Sequence, residues 1–271
     1  MILLFINLIC KAQQSLEKDD CYMISPNIQK VESYLRAIRA LPTGTDYTKE
    51  DLISEQFLIE KQGSLSIYYA PHNEVINTSA RIVIVGITPG WSQMKKAFEA
   101  ASQSFGTGAA LEEVLQQAKR SAGFAGSMRR HLNQMLNEIG VPDAFGLESA
   151  EELFDYRSDL LHTTSIIKYP VFNNEKNYTG HAPKMNHVEM LSRYVNEIFP
   201  EELSLIKGNY LLVPLGKAVS ETLQELAVNK KIPDQCCLFG FPHPSGANGH
   251  RAKQFAEEKE RLKKIVKGNK R

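Results

Sequence analysis

The sequence predicts an α/β protein, a three-layer α/β/α sandwich built on a central four-stranded, mainly parallel sheet. Three observations carry this. Short β-branched apolar runs alternate with amphipathic stretches of ten or more residues, the order that builds βαβ units. Residues 81–87 (RIVIVGI) show no polar alternation, the pattern of a strand covered on both faces. The 271 residues are 42% hydrophobic and 23% charged, which excludes a disordered or coiled-coil chain.

The elements follow in order. Residues 24–56 read as helical, with an amphipathic stretch over 28–41 in which Val31, Tyr34, Leu35 and Ile38 share a face. Residues 57–69 read as a small hairpin. The strand at 81–87 is followed by helical periodicity over about 92–103, 109–121 and 126–139, and Gly140-Val141-Pro142 is a stop signal. Residues 160–168 (LLHTTSIIK), 210–215 (YLLVPL) and 236–241 (CCLFGF) are the remaining strands. Residues 169–183 read as a polar loop. Helices are expected over 187–199, from Gly216 to about Asn229, and over about 250–266.

No linker or repeat divides the chain. Residues 24–271 therefore read as one domain with N-terminal helices and a helical insertion at about 92–122. The first ten residues are apolar but too short to span a bilayer, and they lack the flanks of a signal peptide. They read as an extra strand, an extra helix or, preferably, part of an upstream extension over 1–23 with Met23 as the natural start. Thirty-two Lys and Arg balance 31 Asp and Glu, which excludes a general polycation but leaves room for a local basic face. Cys10, Cys21, Cys236 and Cys237 have no C-x-x-C spacing and read as small thiols of a reducing cytoplasm. No metal site is expected.

Open α/β sheets bind ligands at the carboxyl ends of their strands. Three polar, Gly- or Pro-rich segments fall there: 86–91, 168–180 and 242–251. In the first, Gly86-Ile87-Thr88-Pro89-Gly90, glycines allow close backbone approach, but the lysine of a nucleotide phosphate loop is missing. In the last, His243 is held between Pro242 and Pro244, whose rings fix φ. Ser245, Gly246, Asn248, His250 and Arg251 follow and lead into a helix, whose N-terminus suits a phosphate.

Together these segments resemble the uracil-DNA glycosylase superfamily over roughly residues 81–255. GITPG is similar to its first motif, Phe124-Ala125-Gly126 with Leu132, Leu136 and Gly140 to the helix that follows, HTTSIIKYPVF and LLVPLGKAV to its later strands, and PHPSG to its His-Pro-Ser motif. The resemblance implies a uracil-DNA glycosylase-like fold and a DNA glycosylase. No pocket lysine is clearly placed for a Schiff base, so it reads as monofunctional; the Cys ligands of the iron–sulfur-bearing branch have no counterpart, so no cofactor is expected, and the protein is expected to act as a monomer in the cytoplasm. Such enzymes turn a nucleotide out of DNA and cut the bond between base and sugar. The resemblance makes His243 the donor to the departing base oxygen and places the attacking water at Thr88. It gives Gly86, Ile87, Pro89, Gly90, Trp91, Phe124 and Ser165 to the base pocket. It gives Ser245, Gly246, Asn248, His250 and Arg251 to the DNA strand, with Lys168 beside them. Asn173 and Tyr178 of the polar loop read as extra base contacts.

The sequence departs from the pattern in three places. Thr88 stands where the superfamily carries a water-positioning Asp, Asn or Glu, and a hydroxyl has no useful pKa as a base; His162, Asp159 and His181 are the substitutes the sequence offers. Ser165 replaces a uracil-reading Asn, and Gly90 a bulky Tyr. Both changes enlarge the pocket, so a 5-modified pyrimidine is the expected substrate ahead of plain uracil, in repair or in defence against modified phage DNA. A catalytically inactive binding module on the same fold is the alternative, and another α/β hydrolase on nucleosides or small ligands is a further rival. Residues 251–271, with nine Lys or Arg against three Glu, read as a solvated face or, with Lys95, Lys96, Arg129 and Arg130, as a phosphate-attracting surface.

Overall fold

The computed structural model describes residues 22–26, 31–124 and 126–269. Most of the 1–23 extension, and Cys10, Cys21, Ile28 and Ala125 with it, lies outside the described residues. Its last two residues do not. Tyr22–Ile24 form strand β1, and Tyr22 and Met23 pair with Asn77 and Ile76 of a later strand.

After β1 come helices α1 (Glu32–Arg39) and α2 (Lys49–Leu52), then strands β2 (Leu58–Gln62), β3 (Leu65–Tyr68), β4 (Val75–Asn77) and β5 (Ile82–Gly86). Helices α3 (Trp91–Gly106), α4 (Leu111–Ala122), α5 (Ser127–Glu138) and α6 (Val141–Phe145) lead to β6 (Leu161–Ser165). Two short strands follow, β7 (Val171–Asn173) and β8 (Lys176–Asn177), then α7 (Glu189–Arg193), which runs through a π turn at Tyr194–Ile198 into α8 (Phe199–Ser204). The chain ends with β9 (Leu211–Pro214), α9 (Lys217–Val228), β10 (Cys236–Cys237) and α10 (Arg251–Gly268).

The central sheet has the order β10-β9-β5-β6, and every pairing is parallel. Strand alternation assigns its two faces. Ile82 and Ile84 of β5, with Leu211 and Val213 of β9, pack against Leu132 and Leu136 of α5, Val141 of α6 and Phe255 and Leu262 of α10. Val83 and Val85, with Leu212, pack against α3, α4 and α9 through Phe98, Leu115 and Val219. Residues 82–85 are fully buried, which accounts for their unbroken apolar run. The sandwich is the one the sequence predicts.

The insertion forms helices α3 and α4. Met94, Ala97, Phe98, Ala101 and Phe105 recur at helical spacing on α3, and Val114, Leu115, Ala118 and Ala122 on α4; all are buried in the core. The insertion packs on the core through these two apolar faces.

Four expectations need correction. The N-terminal region is less helical than its periodicity suggests: α1 and α2 are separated by a segment containing Pro42 and Gly44. The 169–183 loop holds two strands that extend the β2–β3 hairpin into an antiparallel sheet of order β2-β3-β7-β8. Asn174 and Glu175 join them with φ of +46° and +61°, the two left-handed residues of a tight hairpin turn. Strands of three and two residues leave no periodic signal. The run at 236–241 pairs only at Cys236 and Cys237 before it bends toward the His243 loop. The helix expected over 187–199 begins at Glu189 and continues to Ser204.

Candidate active site

The site is assembled at the carboxyl ends of three neighbouring parallel strands, which lie about 4.8 Å apart. Gly86 ends β5 and is in register with Ser165, which ends β6. A Cβ on Gly86 would lie 3.4 Å from Ser165 Oγ and 3.8 Å from Phe124 Cε1. On the other side of β5, the Leu215 N–H donates to Val85 O at 2.9 Å. The next residue, Gly216, has φ of +91°, and a Cβ there would come within 3.0 Å of His243 Cβ. Only glycine meets both demands. Its N–H also donates to Phe241 O at 3.0 Å, which anchors the His243 loop to the end of β9. His243 and the Gly86 bend therefore stand on adjacent strand ends.

His243 is half-buried between two buried prolines. The Ser245 N–H donates to its Nδ1 at 3.2 Å. An accepting Nδ1 carries no proton, so the neutral ring carries it on Nε2. Burial holds the imidazole below its ordinary pKa and keeps it in that neutral form. The result is a donor of fixed tautomer on the loop anchored to the end of β9, the strand paired with β5.

Phe124 is buried against Gly86 with φ of +48°, a left-handed conformation that a bulky residue adopts only when its surroundings enforce it. Arg129 of α5 enforces it. Its Nε donates to Gly123 O at 2.9 Å and its Nη2 to Arg120 O at 3.0 Å and to Gly123 O, while its guanidinium stacks on Phe154 with 4.9 Å to the ring centre. Arg129 therefore belongs to the fold of this turn, not to a phosphate surface.

The first loop is stitched to its neighbours. Thr88 Oγ1 donates to Tyr169 O at 2.7 Å and accepts from the Val171 N–H at 3.0 Å. Its proton is committed to a clamp between the loop and β7. The Ile87 side chain packs on Gly180, 3.2 Å from the position of a Cβ there. Pro89 is buried, and Trp91 is half-buried at the start of α3. Asn177 Oδ1 accepts the Trp91 N–H at 2.9 Å, and its Nδ2 lies 3.4 Å from where a Cβ of Gly90 would be. The room beside Gly90 is shared with an amide whose Nδ2 has no partner among the described residues. The sequence points to the Asn amides of this polar loop in general and to Asn173 in particular; nothing in the run itself distinguishes Asn177, which the structure places at the end of β8.

The loop after His243 is braced internally. Asn248 Nδ2 donates to His243 O at 3.1 Å and Gln254 Oε1 at 3.0 Å, and Asn248 Oδ1 accepts the His250 N–H at 3.2 Å. Arg251 Nη1 donates to Ser245 O at 2.9 Å. Ser245 Oγ accepts the Ala247 N–H at 3.1 Å. Gly246 is exposed, with only Ser127 Oγ at 3.8 Å from the position of a Cβ, so a ligand can approach its backbone closely.

Three sequence candidates are engaged within the protein itself. Lys168 is buried, with Nζ 2.7 Å from Glu74 Oε2 and 2.9 Å from Ser25 Oγ, and cannot reach a DNA phosphate. The Tyr178 hydroxyl donates to Pro183 O, and burial pushes its pKa up to about 12. Asn173 Nδ2 donates to Ala182 O at 3.1 Å. Of the acid substitutes, His162 is buried on Glu202 at 2.9 Å, while Asp159 and His181 are exposed. The phosphate surface also thins: Lys95 pairs with Asp46 and Lys259 with Glu138 at 2.6 Å, and Arg261 and Lys263 pair within their own helix. Cys236 and Cys237 are free thiols. No helix among the described residues is long and apolar enough to cross a membrane.

Comparison with known proteins follows the same segments. A family model described as "Uracil DNA glycosylase superfamily" matches residues 74–267, from β4 into α10. The uncharacterized protein YoxB of Bacillus subtilis (strain 168) is 47% identical over 236 residues, covering 87% of this chain and 91% of that one. The crystal structure of wild-type SMUG2 from Pedobacter heparinus aligns with a TM-score of 0.42 and 13% identity over 88% of this chain and 97% of that one.

Proposed function

The chain belongs to the uracil DNA glycosylase superfamily, and from that premise we propose that it hydrolyses the N-glycosidic bond of a pyrimidine turned out of DNA. The observation that carries this reading is the fixed tautomer of His243, an Nε2–H donor in the loop packed on Gly216 at the end of β9, the strand paired with β5.

The chemistry follows from charge. Water adds to C1′ of the sugar, and the bond to the base breaks with its electron pair leaving on the base. The proton shed by water balances the one the base anion takes up. As negative charge grows on the base oxygen, the Nε2–H of His243 stabilises it, and one such donor contributes about 3–4 kcal/mol. A neutral donor loses no proton in doing so. Phe124 offers a ring for stacking, and the exposed amide of Gly246 offers the flanking phosphate a donor. The burial of Lys168 on Glu74 supports a monofunctional course, since that amine is not free to attack the sugar.

For the substrate, Ser165 cannot supply the paired donor and acceptor of an Asn. The Nδ2 of Asn177, without a partner among the described residues and close to Gly90, suits an oxygen-bearing 5-substituent, so a 5-modified pyrimidine is preferred to plain uracil. A second reading has one observation in its favour. The Thr88 hydroxyl is committed to Tyr169 and Val171, as it would be in a DNA-binding module that no longer activates water.

The test is an abasic-site assay on single- and double-stranded oligonucleotides bearing uracil or a series of 5-modified pyrimidines. Release from the oxygen-bearing 5-modified members is expected. Release from uracil alone contradicts the substrate, and tight binding with no release from any member favours the module.

A further inference from the structure

Helix α5 reaches the His243 loop through a second histidine. His131 Nδ1 lies 3.0 Å from Pro244 O. A carbonyl only accepts, so His131 Nδ1 carries the proton of that bond. That carbonyl shares a peptide group with the Ser245 N–H, which donates to His243 Nδ1 at 3.2 Å. A trans peptide is planar, with its C=O and N–H pointing in opposite directions. Holding one end therefore sets the direction of the other. We propose that His131 is a positioning residue: it clamps and polarises the Pro244–Ser245 peptide, which in turn holds His243 in its Nε2–H tautomer. The inference rests on the reading that His243 acts on the departing base, but the clamp itself is testable without that reaction.

The arrangement is a chain of two hydrogen bonds through one peptide, and bonds in series strengthen one another. Proline at 244 has no N–H of its own and a fixed φ, so its carbonyl is the handle that α5 can grip. The preceding carbonyl, His243 O, is held by Asn248. The loop is thus pinned from both sides of the imidazole. Two positions earlier on the same helix, Arg129 pins the Phe124 turn. Residues two apart on a helix point about 200° apart, so one short helix serves both sides of the candidate site.

The experiment compares wild type with His131→Ala, His131→Phe and His131→Asn. The phenyl ring keeps the volume without the donor, and the Asn amide offers an N–H near the position of Nδ1. Imidazole ¹⁵N chemical shifts are read for His243, with circular dichroism as the check on folding. In wild type the Nδ1 of His243 is expected to be unprotonated. In the folded variant without the donor, whether Ala or Phe, a mixture of tautomers is expected, and Asn should restore the wild-type pattern. On an oligonucleotide from which the protein releases a base, loss of the donor should lower kcat about tenfold with KM unchanged, the scale of one neutral hydrogen bond. In a His243→Ala background the same change should cost nothing more. An unaltered His243 tautomer in a folded donor-less variant overturns the proposal, as does an equal loss in the His243→Ala background. If the wild type releases no base at all, the glycosylase reading fails while the ¹⁵N comparison still decides the clamp.

Discussion

The backbone N–H of Ser245 donates to Nδ1 of His243, two residues earlier in the same loop. This short local bond decides which nitrogen of the neutral imidazole carries the proton. Burial reinforces it by disfavouring the charged ring. The His243 loop is therefore a prearranged donor, and its neighbours Asn248 and Arg251 serve first to hold it.

Thr88 behaves as a clamp in this arrangement. Thr88→Val removes both bonds, to Tyr169 O and from the Val171 N–H. Chemical denaturation should show a loss of about 1–3 kcal/mol, the cost of unpaired backbone groups. Thr88→Ser should keep both bonds and stay close to wild type in stability and base release. A Ser variant that is stable but inactive would contradict the clamp.

Lys168 is a structural cation. Lys168→Met leaves the buried Glu74 without its counter-ion, held among the described residues only by the Tyr169 hydroxyl, and should cost about 3–5 kcal/mol in urea unfolding. The salt dependence of DNA binding should not change, because no phosphate contact is lost. A shallower slope of log K against log salt would return Lys168 to the DNA.

Acid stability follows from buried neutral histidines. His72 is buried with neither ring nitrogen partnered among the described residues. Burial, with Lys119 nearby, lowers its pKa to about 3. The unfolded chain binds the proton better, so the neutral ring's contribution is intact above about pH 6.5 and is lost as pH falls below it. At pH 5 the loss is about 2 kcal/mol. His162, lowered to about 4 mainly by burial, acts in the same direction. His72→Leu should flatten the fall in unfolding midpoint between pH 7 and pH 5, and an unchanged fall would exclude His72 as its source.

Asn177 should tune the choice of base. Asn177→Ala removes the amide beside Gly90 and the cap on the Trp91 N–H. Competition assays should show at least a fivefold loss of preference for oxygen-bearing 5-substituents over 5-methyl, the scale of about 1 kcal/mol for one hydrogen bond. Equal preference in wild type and variant would remove Asn177 from recognition.

The parallel sheet was legible because residues 82–86, 161–168 and 210–215 are buried and show it in their composition. His243, the Gly86 bend and the Phe124 turn were legible for a different reason, since glycine and proline constrain the backbone locally. What stayed hidden depends on partners far away in sequence. The fate of Lys168 is decided by Glu74, 94 residues earlier. The two hydrogen bonds of Thr88 are made 81 and 83 residues later. The strand at Val171–Asn173 exists because β3 offers it an edge, and it in turn offers one to Lys176–Asn177. A lysine, a threonine or an asparagine reads the same in sequence whether it meets a ligand or its own fold.

The central claim is that His243 stabilises charge on a departing base. Its most direct test is the single-turnover rate of base release, wild type against His243→Ala, on the best substrate of the oligonucleotide series. A fall of about 10²–10³-fold with DNA affinity unchanged is expected. A rate within twofold of wild type would contradict the account.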